Sequence, residues 1–219
     1  MVWVCYIIML AVPYLLAGLN TSIIVCKIKT GKDIRKMGSG NAGLTNTLRT
    51  LGKSAAAVVL MGDVVKSVLA VLAVRLSFYL IGGVNTASAV STMKWVEYMA
   101  GFMAIVGHCY PLYYGFKGGK GILTAISVIF LLDWRTGLAL SAIFAVIVAL
   151  TRYVSLGSII SSFCFFVCTM VFEMFADKSP SGIVNALIAA FCGALCIYRH
   201  RANIQRLAAH TEKKLGEKN

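Results

Sequence analysis

Three glycines within six residues open the run Gly38-Ser39-Gly40-Asn41-Ala42-Gly43-Leu44-Thr45-Asn46, with Arg49 three residues further on. Glycines let successive backbone amides turn toward one point. The hydroxyls of Ser39 and Thr45, the amides of Asn41 and Asn46 and the Arg49 guanidinium add donors, which is how a chain cradles a phosphate. Glycine and asparagine alone would read as a flexible interhelical turn; Arg49 and the unbroken polar run favour an anion site. A second run, Gly107-His108-Cys109-Tyr110-Pro111, leads into Phe116-Lys117-Gly118-Gly119-Lys120-Gly121. Two lysines separated by two glycines, just before an apolar stretch, put two cations and several amides at a helix start, where the helix dipole also favours an anion. Gly121 follows Lys120 where a nucleotide-binding P-loop needs Ser or Thr, so nucleotide hydrolysis is unsupported.

Further polar groups are spaced along the chain. His108, nine residues before Lys117, is the side chain best suited to act as a base. Arg152-Tyr153-Val154-Ser155-Leu156-Gly157-Ser158 again joins a cation to hydroxyls. His200, Asn203, Ile204 and Leu207 recur at helical spacing and predict an amphipathic tail helix whose polar members reach the other loops. Asp63 and Lys66 stand one turn apart in an apolar run and read as a structural ion pair facing a bundle interior.

If these loops converge, Arg49, Lys117, Lys120, Arg152 and Arg206 would line one cavity with almost no carboxylate among them. That is a site for more than one phosphate. No His, Cys, Asp and Glu cluster has metal-ligand spacing, no Ser-His-Asp set can be assembled, and no His-x4-Asp acyltransferase motif follows any histidine. Neither a metal nor a cofactor is expected.

The elements that must position these loops are membrane helices. Hydrophobic residues make up 59% of the 219 residues and mean hydropathy is +0.82, which would coat a soluble domain with apolar surface. Seven candidate spans can be read, at Val2–Val25, Ala55–Leu76, Trp95–Pro111, Gly121–Leu132, Thr136–Leu150, Ile159–Phe175 and Ile183–Tyr198. Asp133, Trp134 and Arg135 are expected to form a tight turn between two short helices; without that turn the count is six. The first span is read as retained, because Met1 begins it almost directly and no cleavage site follows.

Basic residues crowd the loops of one side: Lys27, Lys29, Lys32, Arg35, Lys36, Arg49 and Lys53, then Lys117 and Lys120, Arg152, and a tail ending in Lys213, Lys214 and Lys218. The other side has Arg75, Lys94, Arg135 and Lys178 balanced by Glu97, Asp133, Glu173 and Asp177. The positive-inside rule therefore sets the N-terminus outside and the C-terminus in the cytoplasm. The net charge of +13 suits anionic lipid headgroups and phosphorylated substrates, and nucleic acid is not an expected partner. Seven cysteines fall mostly in apolar spans and read as small packing residues. No linker or repeat divides residues 1–219, so one membrane domain is expected, and the lack of a repeat weakens the rival reading of an anion transporter.

The runs SGNAGLTN with Arg49, GHCYPLYYGFKGGKG, RYVSLGS and HRANIQRL resemble, in order, the signature stretches of the PlsY family of bacterial glycerol-3-phosphate acyltransferases. Ala42, Leu44 and Tyr110 depart from that pattern, where proline, a small residue and phenylalanine are common. The resemblance implies an all-α polytopic helix bundle of the bacterial inner membrane, with its site on the cytoplasmic side. It implies transfer of a fatty acyl group from long-chain acyl phosphate to the 1-hydroxyl of glycerol 3-phosphate, giving lysophosphatidate and phosphate. The implied catalytic set is His108, Lys117, Ser39 and Asn41. The implied substrate-binding set is Gly40, Gly43, Thr45, Asn46, Arg49, Gly118, Gly119, Lys120, Ser155, Ser158, His200 and Asn203. The base stays open between His108 and an oxygen of the donor phosphate, and the acyl tail is expected in a groove between helices that opens to membrane lipid.

Overall fold

In the computed structural model, residues 2–84 and 93–217 are described, so Met1 and Lys218, named above, lie outside the described residues. Each of the seven expected apolar runs is helical. The helices are α1 (Val2–Gly18), α2 (Thr21–Thr30), α3 (Leu44–Leu80), α4 (Lys94–Cys109), α5 (Ile122–Leu132), α6 (Trp134–Thr151), α7 (Val154–Thr169), α8 (Gly182–Arg199) and α9 (Arg201–Ala208). Among the described residues, five helical stretches, Val2–Thr30, Leu44–Leu80, Trp134–Thr151, Val154–Ala176 and Gly182–Arg199, are long and apolar enough to cross a membrane, while α5 is shorter.

Helix boundaries differ from the apolar runs for local reasons. The first run is broken at Leu19–Asn20, where the Asn20 side chain caps α2 by accepting from the Ile23 amide at 3.1 Å. α3 extends well beyond its apolar run and carries a break at Gly52, whose φ of 82° lies in the left-handed region open to glycine. α7 continues as a π-helical segment, Met170–Ala176. Asp133 does form the expected turn: extended, it ends α5 and caps α6, accepting from Thr136 Oγ1 at 2.6 Å and Arg135 Nε at 3.0 Å.

α1 packs on α3 and α4; α7 packs between α6 and α8; α8 returns to α4, and α5 bridges α3, α4 and α6. The shared core includes Val71, Val74, Phe78, Ile105, Ile129, Leu140, Phe165 and Ile188. Large apolar side chains such as Trp3, Ile7, Leu150, Phe163 and Phe191 point outward, as expected of a surface whose solvent is hydrocarbon. One expected loop charge is misplaced by the sequence reading. Glu173 is fully buried on the π-helical segment, paired with Lys94 and accepting from Tyr98 Oη at 3.1 Å, because a buried carboxylate requires a partner.

Candidate functional site

One cavity of about 1350 Å³ gathers the polar loops. It is lined by Ser39, Gly40, Asn41, Gly43, Thr45, Arg49, Lys117, Gly118, Lys120, His200 and Asn203, by the apolar Ile122, Ile126, Ile129, Leu140, Phe144 and Phe165, and by Ser155, Ser158 and His108. Gly119 packs behind this lining: a Cβ there would meet the His108 ring and the Ala42 carbonyl, so only glycine allows the loop to lie so close.

The glycine-rich loop is shaped by Asn46 at the start of α3. Asn46 is buried; its amide donates to the Met37 and Asn41 carbonyls, both at 3.0 Å, and its carbonyl accepts from the Ser39 amide at 2.9 Å. Both polar atoms of its side chain therefore bond loop backbone and brace the loop. The side chains of Ser39, Asn41, Thr45 and Arg49 make no hydrogen bond among the described residues and face the cavity. Ser158 bonds its own helix at Val154 O, 2.9 Å away, whereas the buried Ser155 hydroxyl has no partner.

Two arginines that the sequence reading did not single out clamp the two-lysine loop. Arg35 donates from Nη1 to Tyr114 O at 2.8 Å and to Lys117 O at 3.0 Å. Arg199 donates to Gly118 O and Gly119 O, both at 3.1 Å, and stacks over Tyr110. The amides of Gly118 and Gly119 return to Cys109 O and His108 O, both at 3.1 Å. With its carbonyls and amides tied down, the loop holds Lys117 and Lys120 in place.

Lys120 donates to Asn203 Oδ1 at 2.5 Å; Asn203 donates to Glu212 Oε1 at 2.7 Å, and Arg206 Nε to Glu212 Oε2 at 2.6 Å. Glu212 thus brings a carboxylate into a site where none was expected, and the tail residues Thr211–Glu217 line the cavity. Burial pushes its carboxyl up, but the Asn203 and Arg206 hydrogen bonds, with Ser155 beside it, leave it below the usual carboxylate range. An acid set directly before two lysines of a basic tail was the available sequence signal. Arg152, expected in the cavity, is exposed and holds the tail instead, donating from Nη2 to Leu215 O at 2.8 Å. On α9 the inward residues are Asn203 and the half-buried Arg206 and Leu207; Ile204 faces out, correcting the expected face.

Burial pushes the Lys120 ammonium down to about 8, with Glu212 opposing and Arg206, Arg199 and Arg49 reinforcing the shift. A cation with a lowered pKa keeps its charge below that value and loses it above. The affinity for an anionic substrate should therefore weaken as pH rises through about 8. The profile of KM against pH reads this directly, and Lys120→Arg should flatten it, because a guanidinium stays charged.

His200 is buried and its Nδ1 lies 2.7 Å from the Cys196 carbonyl. A carbonyl only accepts, so Nδ1 carries the proton and Nε2 presents a lone pair. Burial, with Lys120 next, holds His200 down at about 4, so it is neutral at neutral pH.

Asp63 and Lys66 do pair, at 2.7 Å. Asp63 also accepts from Thr21 Oγ1 at 2.9 Å, and Lys66 donates to Leu19 O at 3.0 Å, a carbonyl released by the break before α2. The pair therefore pins α3 to the α1–α2 junction.

A family model described as Glycerol-3-phosphate acyltransferase matches residues 7–210. A protein of that name from Clostridioides difficile (strain 630) is 43% identical over 213 residues, covering 97% of each chain. Another, from Trichormus variabilis, is 38% identical over 211 residues, covering 94% of this chain and 90% of its own. The crystal structure of PlsY, an integral membrane glycerol 3-phosphate acyltransferase, in its glycerol 3-phosphate form, superposes with a TM-score of 0.77 at 32% identity, covering 97% of this chain and 96% of that one. The lysophosphatidic acid form gives 0.75 at 30%, with the same coverage.

Proposed function

Because the chain belongs to the glycerol-3-phosphate acyltransferase family, we propose that it transfers a fatty acyl group from acyl phosphate to the 1-hydroxyl of glycerol 3-phosphate. The products are 1-acylglycerol 3-phosphate and inorganic phosphate. The observation that carries this reading is one cavity lined both by Arg49, Lys117 and Lys120 and by the apolar Ile126, Ile129, Leu140 and Phe165. An amphiphile with a phosphate head and an acyl tail suits that lining, and a second phosphate suits the remaining cations.

In the proposed reaction, the glycerol hydroxyl attacks the acyl carbonyl, the carbon–oxygen bond to phosphate breaks, and the leaving phosphate takes the hydroxyl proton. An acyl phosphate dianion and an alcohol thus become an ester and hydrogen phosphate, with atoms and charge balanced. The donor is already activated, so positioning two anions and stabilising developing charge supply most of the catalysis. Lys117 and Lys120 neutralise the donor phosphate, with the Gly118 and Gly119 backbone as their support. Arg49, Ser39, Asn41 and Thr45 hold phosphate, brought together by the loop turns at Gly40 and Gly43. Ser155, His200 and Asn203 receive the glycerol phosphate, the His200 lone pair accepting from its hydroxyl. The tail rests between α5, α6 and α7, and the loops face the cytoplasm, in keeping with the basic residues on the flanking segments.

Purified protein given glycerol 3-phosphate should form lysophosphatidate from palmitoyl phosphate and not from palmitoyl coenzyme A. Product from coenzyme A thioester alone would overturn the donor assignment. Product from neither, in a folded and monodisperse sample, would overturn the reaction.

A further inference from the structure

We propose that His108 is not the base of this reaction but a hydrogen-bond donor to the reacting acyl oxygen, held in that role by Lys66. The inference rests on the acyl transfer proposed above and concerns which end of the imidazole faces the chemistry.

Lys66 Nζ has three neighbours at hydrogen-bond distance: Asp63 Oδ1 at 2.7 Å, Leu19 O at 3.0 Å and His108 Nδ1 at 3.2 Å. A backbone carbonyl can only accept. Asp63 Oδ1 also accepts from the Thr21 hydroxyl at 2.9 Å, which suits an ionised carboxylate. An ammonium carries three protons and no lone pair, so the third proton goes to His108, whose Nδ1 must accept it. A neutral imidazole with an accepting Nδ1 carries its proton on Nε2.

No hydrogen-bond partner meets that second nitrogen among the described residues. The Nε2 edge of the ring lies against Gly119, and His108 lines the same cavity as Lys117, Gly118 and Lys120. The N–H therefore lies at the loop that carries Lys117 and Lys120, and in the proposed reaction the carbonyl adjoining the donor phosphate is set against it. When the hydroxyl adds to that carbonyl, its oxygen gains negative charge, and a preorganised donor stabilises the charge more than it stabilises the ground state.

A base on Nε2 would need the opposite tautomer, the one His200 adopts through its bond to Cys196 O. The cavity therefore holds two imidazoles of opposite polarity, one accepting at the alcohol and one donating at the carbonyl. Lys66 and Asp63 are positioning residues in this scheme, and they set the tautomer through the bond to Nδ1.

The test reads the tautomer and the rate separately. In protein labelled with nitrogen-15 histidine, the resonances lost in His108→Gln belong to His108; a protonated Nε2 with an unprotonated Nδ1 is expected. In Lys66→Met the same resonances should move toward a tautomer mixture, a change that a purely structural lysine would not produce. For turnover of palmitoyl phosphate, His108→Gln, whose amide can donate, should retain kcat within about tenfold, while His108→Phe should lose about 10²–10³-fold, the usual cost of removing one such donor. A proton on Nδ1 in the wild type, or equal loss in the Gln and Phe variants, would overturn the donor role. If His108→Phe does not fold, the resonance assignment alone decides. Absence of wild-type turnover would overturn the acyl-transfer reading and this role at the carbonyl with it, while the spectrum still reports the tautomer.

Discussion

Lys120→Ala should lower kcat/KM for acyl transfer by roughly 30- to 5,000-fold, corresponding to about 2–5 kcal/mol for truncating one partner of a desolvated, hydrogen-bonded charge contact. The magnitude follows from its surroundings. Lys120 is largely removed from water, sits beside Arg49, Arg199 and Arg206, and donates a hydrogen bond to Asn203. A cation held among other cations at such a cost is retained for an anion. Removing it also leaves Asn203 Oδ1 without its donor, so the position of Asn203 and Glu212 should loosen in the same variant. Lys120→Arg should recover part of the loss, because charge returns while the compact ammonium geometry does not. Steady-state kinetics on both variants, with thermal unfolding to verify the fold, gives the measurement; a Lys120→Ala enzyme within threefold of wild type would remove Lys120 from the site.

The second large effect is structural. Lys66→Met should destabilise the protein by about 3–5 kcal/mol, the typical cost of stranding one member of a buried ion pair. Asp63 and Lys66 are 1% and 8% exposed, and their partners include Thr21 and Leu19 at the helix break and His108 on α4. Without Lys66 the Asp63 carboxylate is buried unpaired and the Leu19 carbonyl loses its donor. Replacing both charges, as Asp63→Leu with Lys66→Met, should recover much of the stability, since apolar substitutes for a buried pair are often neutral or better. Activity should not return with it, because the His108 tautomer is no longer set. Unfolding midpoints in detergent for the two single variants and the double variant distinguish these outcomes. A single variant as stable as wild type would mean that the pair contributes nothing to the bundle.

The sequence by itself determined the solvent and the character of the site. Apolar runs of membrane length report where helices lie, because every backbone group in hydrocarbon must be bonded within its own segment. The glycine–lysine and glycine–asparagine loops report an anion site, because backbone amides and cations bind anions wherever they are concentrated. Asp63 and Lys66 could be paired from spacing alone, since residues three apart share a helix face.

Other features depended on contacts between segments far apart in sequence. No periodicity relates Glu212 to Asn203 and Lys120, Arg199 to Gly118, or Glu173 to Lys94. Asn46 shows the same limit within one loop: its composition suggested a phosphate ligand, and only the folded loop shows that every polar atom of the side chain faces backbone. The histidines show it most sharply. His108 and His200 are the same residue type, yet one ring accepts from a lysine on α3 and the other donates to a carbonyl one turn earlier on its own helix. For His108 that partner lies across the packing interface, so tertiary structure alone decides that its Nδ1 accepts, whereas the partner of His200 is one turn back along its own helix.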